Sequence, residues 1–502
     1  MTSWWTAHAL AEHDPATAPL PQRCDVVVVG AGVVGLTAAH ELLAAGAAVH
    51  VIDASTAVGS GVSGQSTAKV TCGTGLRLDE ILKFAGQDAA QEYAEAGRHG
   101  LGMARDLLGR NPWVRATSLS HHLYATTQAG TESLEDHVLL AQECGLNVRR
   151  SEVAPFPWAL ASATYDDQLV VQPVDVLQAL AAEVVALGGR ITLSTTVTHV
   201  HASDLDVEVV TGVGTVRASR VIVATHVPIT GTTFLHWREQ RHRVLVGRVP
   251  GPIPTTYDVD AGWSTRHVGD PAESLAVVTG AAHDVGAGSD EQARAELRMW
   301  ATEHLDLTVL QEWATQDATS LDALPLIGVL GSPHVLTATG FGGWGWAHGF
   351  AAGQELARLT QGHEPRWPSF TIGTRRFGHG VGTRASNLGQ VAGDAVGDHL
   401  RLLGHIASDS HAPMIPGDGV VRLVSGHAAA TSVDADGIRR TVSARCTHLG
   451  CLVRWNRADS SWDCPCHGSR FSTDGRVING PATANLKQHS IEDRDRFRVR
   501  ET

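Results

Sequence analysis

Long uninterrupted apolar runs are missing from this sequence. The most apolar stretch, Val26 to Ile52, is broken by Gly30, Gly32, Gly35, His40, Glu41 and Gly46, which reads as strand–turn–helix–strand and excludes a membrane span there. Dense runs of Lys or Arg are missing too. With 39 basic residues against 52 acidic ones and a formal charge of −13, nucleic acid is not an expected partner. The segment Met1 to Arg23 carries Trp4 and Trp5 but has no basic n-region, apolar h-region or small-residue cleavage site, so it is not expected to be a signal peptide. A cytoplasmic location is expected. Cysteine is scarce: there are seven in 502 residues. Cys24, Cys72 and Cys144 are scattered, whereas Cys446, Cys451, Cys464 and Cys466 crowd into one short segment. That crowding marks a site and excludes a secreted disulfide framework. No internal repeat is present.

A chain of this length implies two to four domains, each burying its own core. Asp25–Val29, the helix-like Val33–Ala45 and Ala48–Ile52 have β-α-β spacing, which predicts a parallel pair of strands. Further β-like runs lie at Ile191–Val200, Val207–Val210, Val221–Ala224, Ala276–Thr279 and Val335–Ala338. Helix-like runs at Val174–Leu187, Glu291–His304 and Phe350–Leu359 separate many of them, as expected of an α/β domain with a mixed-sheet insertion over residues 1–370. Pro365, Pro368 and the Gly- and Arg-rich Thr371–Thr383 mark the start of a linker, 371–411. Within it Leu388, Val391, Val396, Leu400 and Leu403 predict a short amphipathic helix. From Ala412 to Thr502 the short runs Val420–Val424, Arg440–Ala444, Leu452–Trp455 and Phe497–Val499 predict a small all-β domain.

Gly30-Ala31-Gly32-Val33-Val34-Gly35 follows a predicted strand and opens a predicted helix, the context a dinucleotide fingerprint requires. Gly30 permits the tight turn, Gly32 lets backbone approach a pyrophosphate, and Gly35 permits close helix-to-strand packing. Asp53 closes the second strand, where a carboxylate accepts hydrogen bonds from an adenosine ribose and disfavours a phosphate-bearing one. FAD and NAD share this fingerprint, so it does not choose between them.

Three further segments carry a resemblance. Gly59-Ser60-Gly61-Val62-Ser63-Gly64-Gln65-Ser66-Thr67-Ala68-Lys69-Val70-Thr71 resembles the second flavin-contact segment of the D-amino-acid-oxidase-like (glycine-oxidase-like) FAD oxidoreductases. Ala224-Thr225-His226 resembles the middle segment of that family. Asp322 to Gly328 with Thr339-Gly340-Phe341-Gly342-Gly343-Trp344-Gly345-Trp346 resembles its closing flavin motif. The resemblance spans about Ser3 to Trp367. It implies FAD, contacted by Gly30, Gly32, Gly35, Asp53, Ser63, Gly64, Ser66, Thr67, Ala224, Gly340, Gly342, Gly343 and Gly345. It also implies hydride removal from a carbon next to an amine, for which the protein mainly positions the substrate. Trp344, Trp346 and His348 either line the substrate side of the flavin or pack the domain, with His348 capping a helix. His226, one of 27 His, reads more readily as structural. No motif for the family's carboxylate-clamping arginine and tyrosines can be aligned, so the substrate stays open.

Near the C-terminal end, Cys446-Thr447-His448 and Cys464-Pro465-Cys466-His467 form two boxes. Cys446 and Cys464 can hold one iron by thiolate and His448 and His467 the other by imidazole, the ligand set of a Rieske [2Fe–2S] centre. A Cys₂His₂ set also suits Zn²⁺. Two more cysteines inside the same boxes, and the Thr447, Leu449-Gly450, Pro465 and Gly468-Ser469 context, favour iron and sulfur. Residues Ala412–Thr502 resemble Rieske proteins of the cytochrome bc type. That resemblance implies a disulfide between Cys451 and Cys466, a cluster-facing hydroxyl on Ser469 and a covering loop at Asn479-Gly480-Pro481-Ala482. Phe471 stands where the highest-potential members have tyrosine, which lowers the expected potential.

The two ends together resemble a group of bacterial FAD-dependent oxidoreductases with a C-terminal Rieske domain. The expected activity is a dehydrogenase that oxidises an amine or amino-acid-like substrate and passes electrons singly to an external acceptor protein or quinone. An electron-transfer or redox-sensing module without small-molecule turnover is the alternative. Reversed flow, from an outside donor through the cluster to the flavin, meets the objection that no second dinucleotide fingerprint for NAD(P)H is present.

Overall fold

The computed structural model describes residues 3–10, 13–230, 238–269, 273–286, 288–320, 322–372, 414–424 and 426–488. The chain divides into two units, Met1–His283 with Ala293–Arg384, and Asp284–Gln292 with Ala385–Thr502. The expected linker helix around Leu388–Leu403 and the strand Phe497–Val499 lie outside the described residues. No helix among the described residues is long and apolar enough to cross a membrane.

In the first unit, Arg23–Val29 pairs in parallel with Val49–Ile52 on one side and Gly214–Val223 on the other, and Arg190–Thr192 extends the sheet beside Val49–Ile52. Ser332–Thr339 joins Gly214–Val223 in parallel, with Leu326–Leu330 antiparallel at the edge. Val26 to Val29 are all buried, as expected of a parallel strand covered on both faces. The single run expected over Ile191–Val200 is two strands. Ser194 takes a positive φ of 55°, and the amides of Ser194 and Thr195 turn to Ser55 O and Asp53 O. Beyond that corner Val197–Ala202 pairs antiparallel with Val207–Thr211.

The helix Val33–Ala44 packs against the helix Gly345–Thr360 at backbone distance. A Cβ at Gly353 would lie 2.7 Å from Val34 O, so only glycine permits this approach. The helix Gln87–Arg110 meets the other side of Gly345–Thr360 in the same way, since a Cβ at Gly100 would lie 1.8 Å from Ala347 O.

A second sheet of nine strands forms the insertion. Its path runs from Thr308–Thr319 through Arg238–Arg248, Leu275–Asp284, Ser264–His267, Thr255–Asp258, Ala116–Ala125 and Ala161–Val171 to Lys69–Val70, and Val148–Arg150 pairs with Ala161–Val171 off that path. The last strand of the path, Lys69–Val70, lies within the segment Gly59–Thr71, so that segment runs directly into this sheet.

In the second unit, Gly419–Val424, His427–Val433 and Arg439–Ser443 form an antiparallel sheet. Arg454–Asn456, Ser461–Asp463, Arg470–Ser472 and Val477–Asn479 form another. Trp462 and Phe471 face each other across that second sheet and are fully buried. Arg470 is buried as well and is compensated by Asp463 at 3.1 Å and Asp459 at 3.0 Å, which a charge removed from water requires.

Gly100→Ala is expected to destabilise the first unit by about 1–3 kcal/mol, the usual cost of overpacking. Gly102→Ala, on the same helix and with open space at its Cβ, should be neutral or slightly stabilising. Thermal unfolding followed by circular dichroism checks this, and equal shifts in the two variants would contradict the packing argument.

Candidate functional site

The glycine turn is locked by one carboxylate. Asp53 Oδ2 accepts from Ala31 N at 2.7 Å and Asp53 Oδ1 from Ser55 N at 2.7 Å, so the end of the second strand grips the turn after the first. Gly30 has φ +110°, and a Cβ there would lie 2.5 Å from Ala224 O. At Gly35 it would lie 2.0 Å from Gly30 O. Gly32 precedes the helix in extended conformation, and its nearest neighbour would be Ser63 Oγ, which itself accepts from Val33 N at 3.3 Å. Ser63 therefore joins the second segment to the mouth of the turn.

Gly64 is pinned because a Cβ would collide with Gly59 O at 1.7 Å. Ser66 Oγ donates to Ser63 O at 3.0 Å and accepts from the indole of Trp346 at 2.7 Å, which brings the second and closing segments together. Thr67 lies between the helical turn Val62–Gln65 and the strand Lys69–Val70. In the closing segment Gly340, Gly342 and Gly343 all have positive φ, and Gly343 N donates to Asp317 Oδ2 at 2.8 Å. Gly343 has nothing within 4 Å of its missing Cβ, and Gly345 begins the long helix. The nucleotide turn, an open glycine cradle and a helix N-terminus are the features FAD requires of backbone, and the residues present fit it.

The three residues singled out for the substrate side have different surroundings. Trp344 precedes the helix and sits edge-on to Tyr257, with ring centroids 5.1 Å apart. Trp346 is buried and engaged with Ser66. His348 is buried one helical turn on, stacked on Tyr93 at 4.0 Å with Nε2 3.1 Å from Tyr93 O. Burial pushes its imidazole down to about 4, so it is neutral and reads as helix packing. His226, at a φ of +67°, lies 3.4 Å from Glu239 and 3.7 Å from Asp317. Burial opposes its charge, but those carboxylates prevail and raise it.

Three buried cations that sequence patterns did not single out converge on this region. Arg77 is buried, with Nε and Nη2 lacking hydrogen-bond partners, and a Cβ on Gly342 would fall on Arg77 Nη2. Lys69 lies 5.5 Å from the Trp344 ring and 5.9 Å from the Tyr257 ring. Arg266 covers the Trp5 ring at 4.5 Å. The signal for Lys69 was its place in the quoted segment directly after Ala68. Arg77 and Arg266 have no local signal, because what distinguishes them is burial.

In the second unit the two boxes sit on facing loops. Cys446 and Cys464 are buried, and the rings of His448 and His467 lie 5.0 Å apart at 87°. Cys464 donates towards Cys446, which together with Ser469 and backbone amides lowers the Cys446 thiol to about 7, while Cys464 is pushed up as the donor. Two buried cysteine sulfurs and a pair of imidazoles fit a Rieske cluster. Cys451 and Cys466 form the disulfide, S–S 2.07 Å, joining the loops. Ser469 Oγ accepts from Ala482 N at 3.1 Å and so fastens the covering loop, which contains a cis Gly480–Pro481 bond. Phe471 is fully buried.

The family profile described as FAD dependent oxidoreductase matches residues 25–359, and that of the Rieske [2Fe-2S] domain matches residues 406–490. The chain belongs to the FAD dependent oxidoreductases. It ends in a Rieske [2Fe–2S] domain, and its cofactors are FAD and a [2Fe–2S] cluster. YhfW of Bacillus subtilis (strain 168), named as a Rieske 2Fe-2S iron-sulfur protein, is 27% identical over 488 residues and spans 94% of each chain. The cytochrome b6-f complex iron-sulfur subunit of Chlorobaculum tepidum is 46% identical over 63 residues, 12% of this chain and 35% of that subunit. Among solved structures, glycine oxidase from Geobacillus kaustophilus aligns with TM-score 0.61 at 16% identity, covering 71% of this chain and 100% of that one. L-Proline dehydrogenase from P. horikoshii aligns with TM-score 0.58 at 17% identity, covering 70% and 96%. These two share the oxidoreductase fold with the first unit.

Replacing Cys451 and Cys466 together by Ser keeps Cys446, His448, Cys464 and His467, the four residues that fit a cluster, but removes the bridge between the two loops. The variant is expected to hold less iron and acid-labile sulfide per chain and to lose its cluster faster, at unchanged FAD content. Iron and sulfide assay after timed incubation checks it, and an unchanged cluster lifetime would remove the disulfide from the account.

Proposed function

We propose that this oxidoreductase is a dehydrogenase for a carboxylate-bearing amine, and that its electrons leave singly through the Rieske cluster to an external acceptor protein or quinone. When bound, FAD takes two electrons from the substrate carbon as hydride, and the [2Fe–2S] cluster carries one electron at a time. Trp344 and Tyr257 present aromatic walls at the closing turn. Burial raises the Tyr257 phenol, which keeps it neutral and able to donate a hydrogen bond.

The observation that carries the reading is Arg77. Its guanidinium is buried against Gly342, and its one ion-pair neighbour among the described residues, Glu80, is 3.7 Å away and exposed to solvent. A cation desolvated in this way with two nitrogens unsatisfied is costly unless a ligand completes it, and a carboxylate matches its fork. Three scattered cysteines outside the cluster boxes, all free, suit a reducing cytoplasm.

Anaerobic rapid mixing with amino acids, N-methyl amino acids and imino acids should bleach the flavin before the cluster. Cluster reduction ahead of flavin would overturn the order, and no bleaching by any amine would favour the electron-transfer or sensing alternative. Arg77→Met should raise KM for a carboxylate substrate about 10- to 100-fold, the worth of a hydrogen bond to a charged group, at unchanged FAD content. An unchanged KM would remove Arg77 from substrate binding.

A further inference from the structure

Lys69 is a lysine that sequence position makes unremarkable and burial makes costly. It is 9% exposed, and each of its three donors has an acceptor: Ser264 Oγ at 2.5 Å, Thr256 O at 3.1 Å and His121 Nε2 at 3.5 Å. All three acceptors are neutral. His121 is itself pushed well below its usual range, by burial and then by Lys69, and its Nδ1 is engaged with Thr71 Oγ1 at 3.0 Å. The other groups facing the ammonium are the Tyr257 ring, the Trp344 ring and, along the same strand as Ser264, the guanidinium of Arg266. Arg266 is buried too and spends Nη2 on Val171 O at 3.1 Å. Neither cation has a carboxylate partner among the described residues.

Two cations have thus been taken out of water on one sheet face with no negative charge to answer them. Such an arrangement is costly, and an anion arriving there for part of the working cycle would offset that cost. With no donor left over, Lys69 is not built to grip a carboxylate as Arg77 is. What it can supply is a fixed charge acting at short range in a dry site. It stands within the second flavin-contact segment and against Trp344 of the closing flavin turn.

We propose that Lys69 is a positioning residue of the flavin site, whose buried ammonium balances the negative charge that reduction places on the flavin. The balance of the step is plain. The substrate C–H bond breaks, its electron pair and proton pass to the flavin as hydride, the substrate is left as an iminium, and the reduced ring carries one negative charge unless a second proton is added. Burial, followed by the repulsion of Arg266, lowers Lys69 to about 7, the behaviour of an ammonium whose counter-charge has not yet arrived. The proposal rests on the flavin reading of this site, and FAD content, measured separately, tells the failure of one from the failure of the other.

The test is a spectroelectrochemical titration of the holoprotein, with the [2Fe–2S] cluster of the same chain as internal reference. Lys69→Met should weaken the stability of reduced relative to oxidised flavin tenfold or more, a fall of about 30 mV for a two-electron couple, while the cluster midpoint stays put. Lys69→Arg should recover at least half of that fall. A Lys69→Met flavin with the wild-type midpoint overturns the proposal, as does a Lys69→Arg flavin no better than Lys69→Met. A second measurement needs no variant: sulfite, which adds to oxidised flavin and leaves a negative charge on the ring, should bleach the wild-type flavin. A wild-type flavin indifferent to sulfite overturns the proposal whether or not Lys69→Met retains FAD, and a wild-type protein that binds no FAD overturns it together with the flavin reading.

Discussion

At the end of the second parallel strand the Asp53 carboxylate accepts from Ala31 N and Ser55 N at 2.7 Å each, and through that pair of bonds the glycine turn is held against the sheet. Everything downstream in the first unit is placed relative to this turn. Ser63 caps the helix that leaves it, Ser66 receives the Trp346 indole, and the helix Gly345–Thr360 then packs back on Val33–Ala44 at a distance that Gly349 and Gly353 allow.

Charge is distributed unevenly around that frame. The chain as a whole is acidic, with a formal charge of −13, yet Lys69, Arg77 and Arg266 are all buried near the closing flavin turn. A surface rich in carboxylates keeps the protein soluble at little energetic cost, whereas a buried cation must be matched by hydrogen bonds or by an arriving anion. The three differ in how they are matched. Lys69 has its donors filled by neutral groups, Arg266 combines one carbonyl with an indole face, and Arg77 keeps two nitrogens open. Those differences are why Lys69 is proposed to supply field and Arg77 to take hold of a ligand.

The second unit solves a different problem. A small β domain has little core, and its two ligand loops would wander if left to their own contacts. The Cys451–Cys466 bridge joins them, Ser469 holds the covering loop at Ala482, and the Arg470 network with Asp459 and Asp463 braces the strands beneath. Rigidity at the ligands is supplied by bonds between loops more than by apolar burial.

The sequence by itself determined the pieces whose chemistry is local. Gly30, Gly32, Gly35 and Asp53 are legible because a nucleotide turn needs particular residues at fixed spacing. The cluster boxes are legible because two thiolates and two imidazoles must come from two short loops. The helix runs near 174–187 and 350–359 were readable from periodicity to within a few residues at most ends, the second helix beginning five residues earlier, at Gly345. The split of Ile191–Val200 was not, since a corner at Ser194 depends on amide partners at Ser55 and Asp53 that lie far back in the chain. Only the tertiary structure decided which polar residues are dry. Lys69, Arg77, His121 and Arg266 look like ordinary residues of a charged sequence, and it is their removal from water by strands brought together across two hundred positions that gives them a role. Burial is a property of the assembled sheet, and no local pattern encodes it.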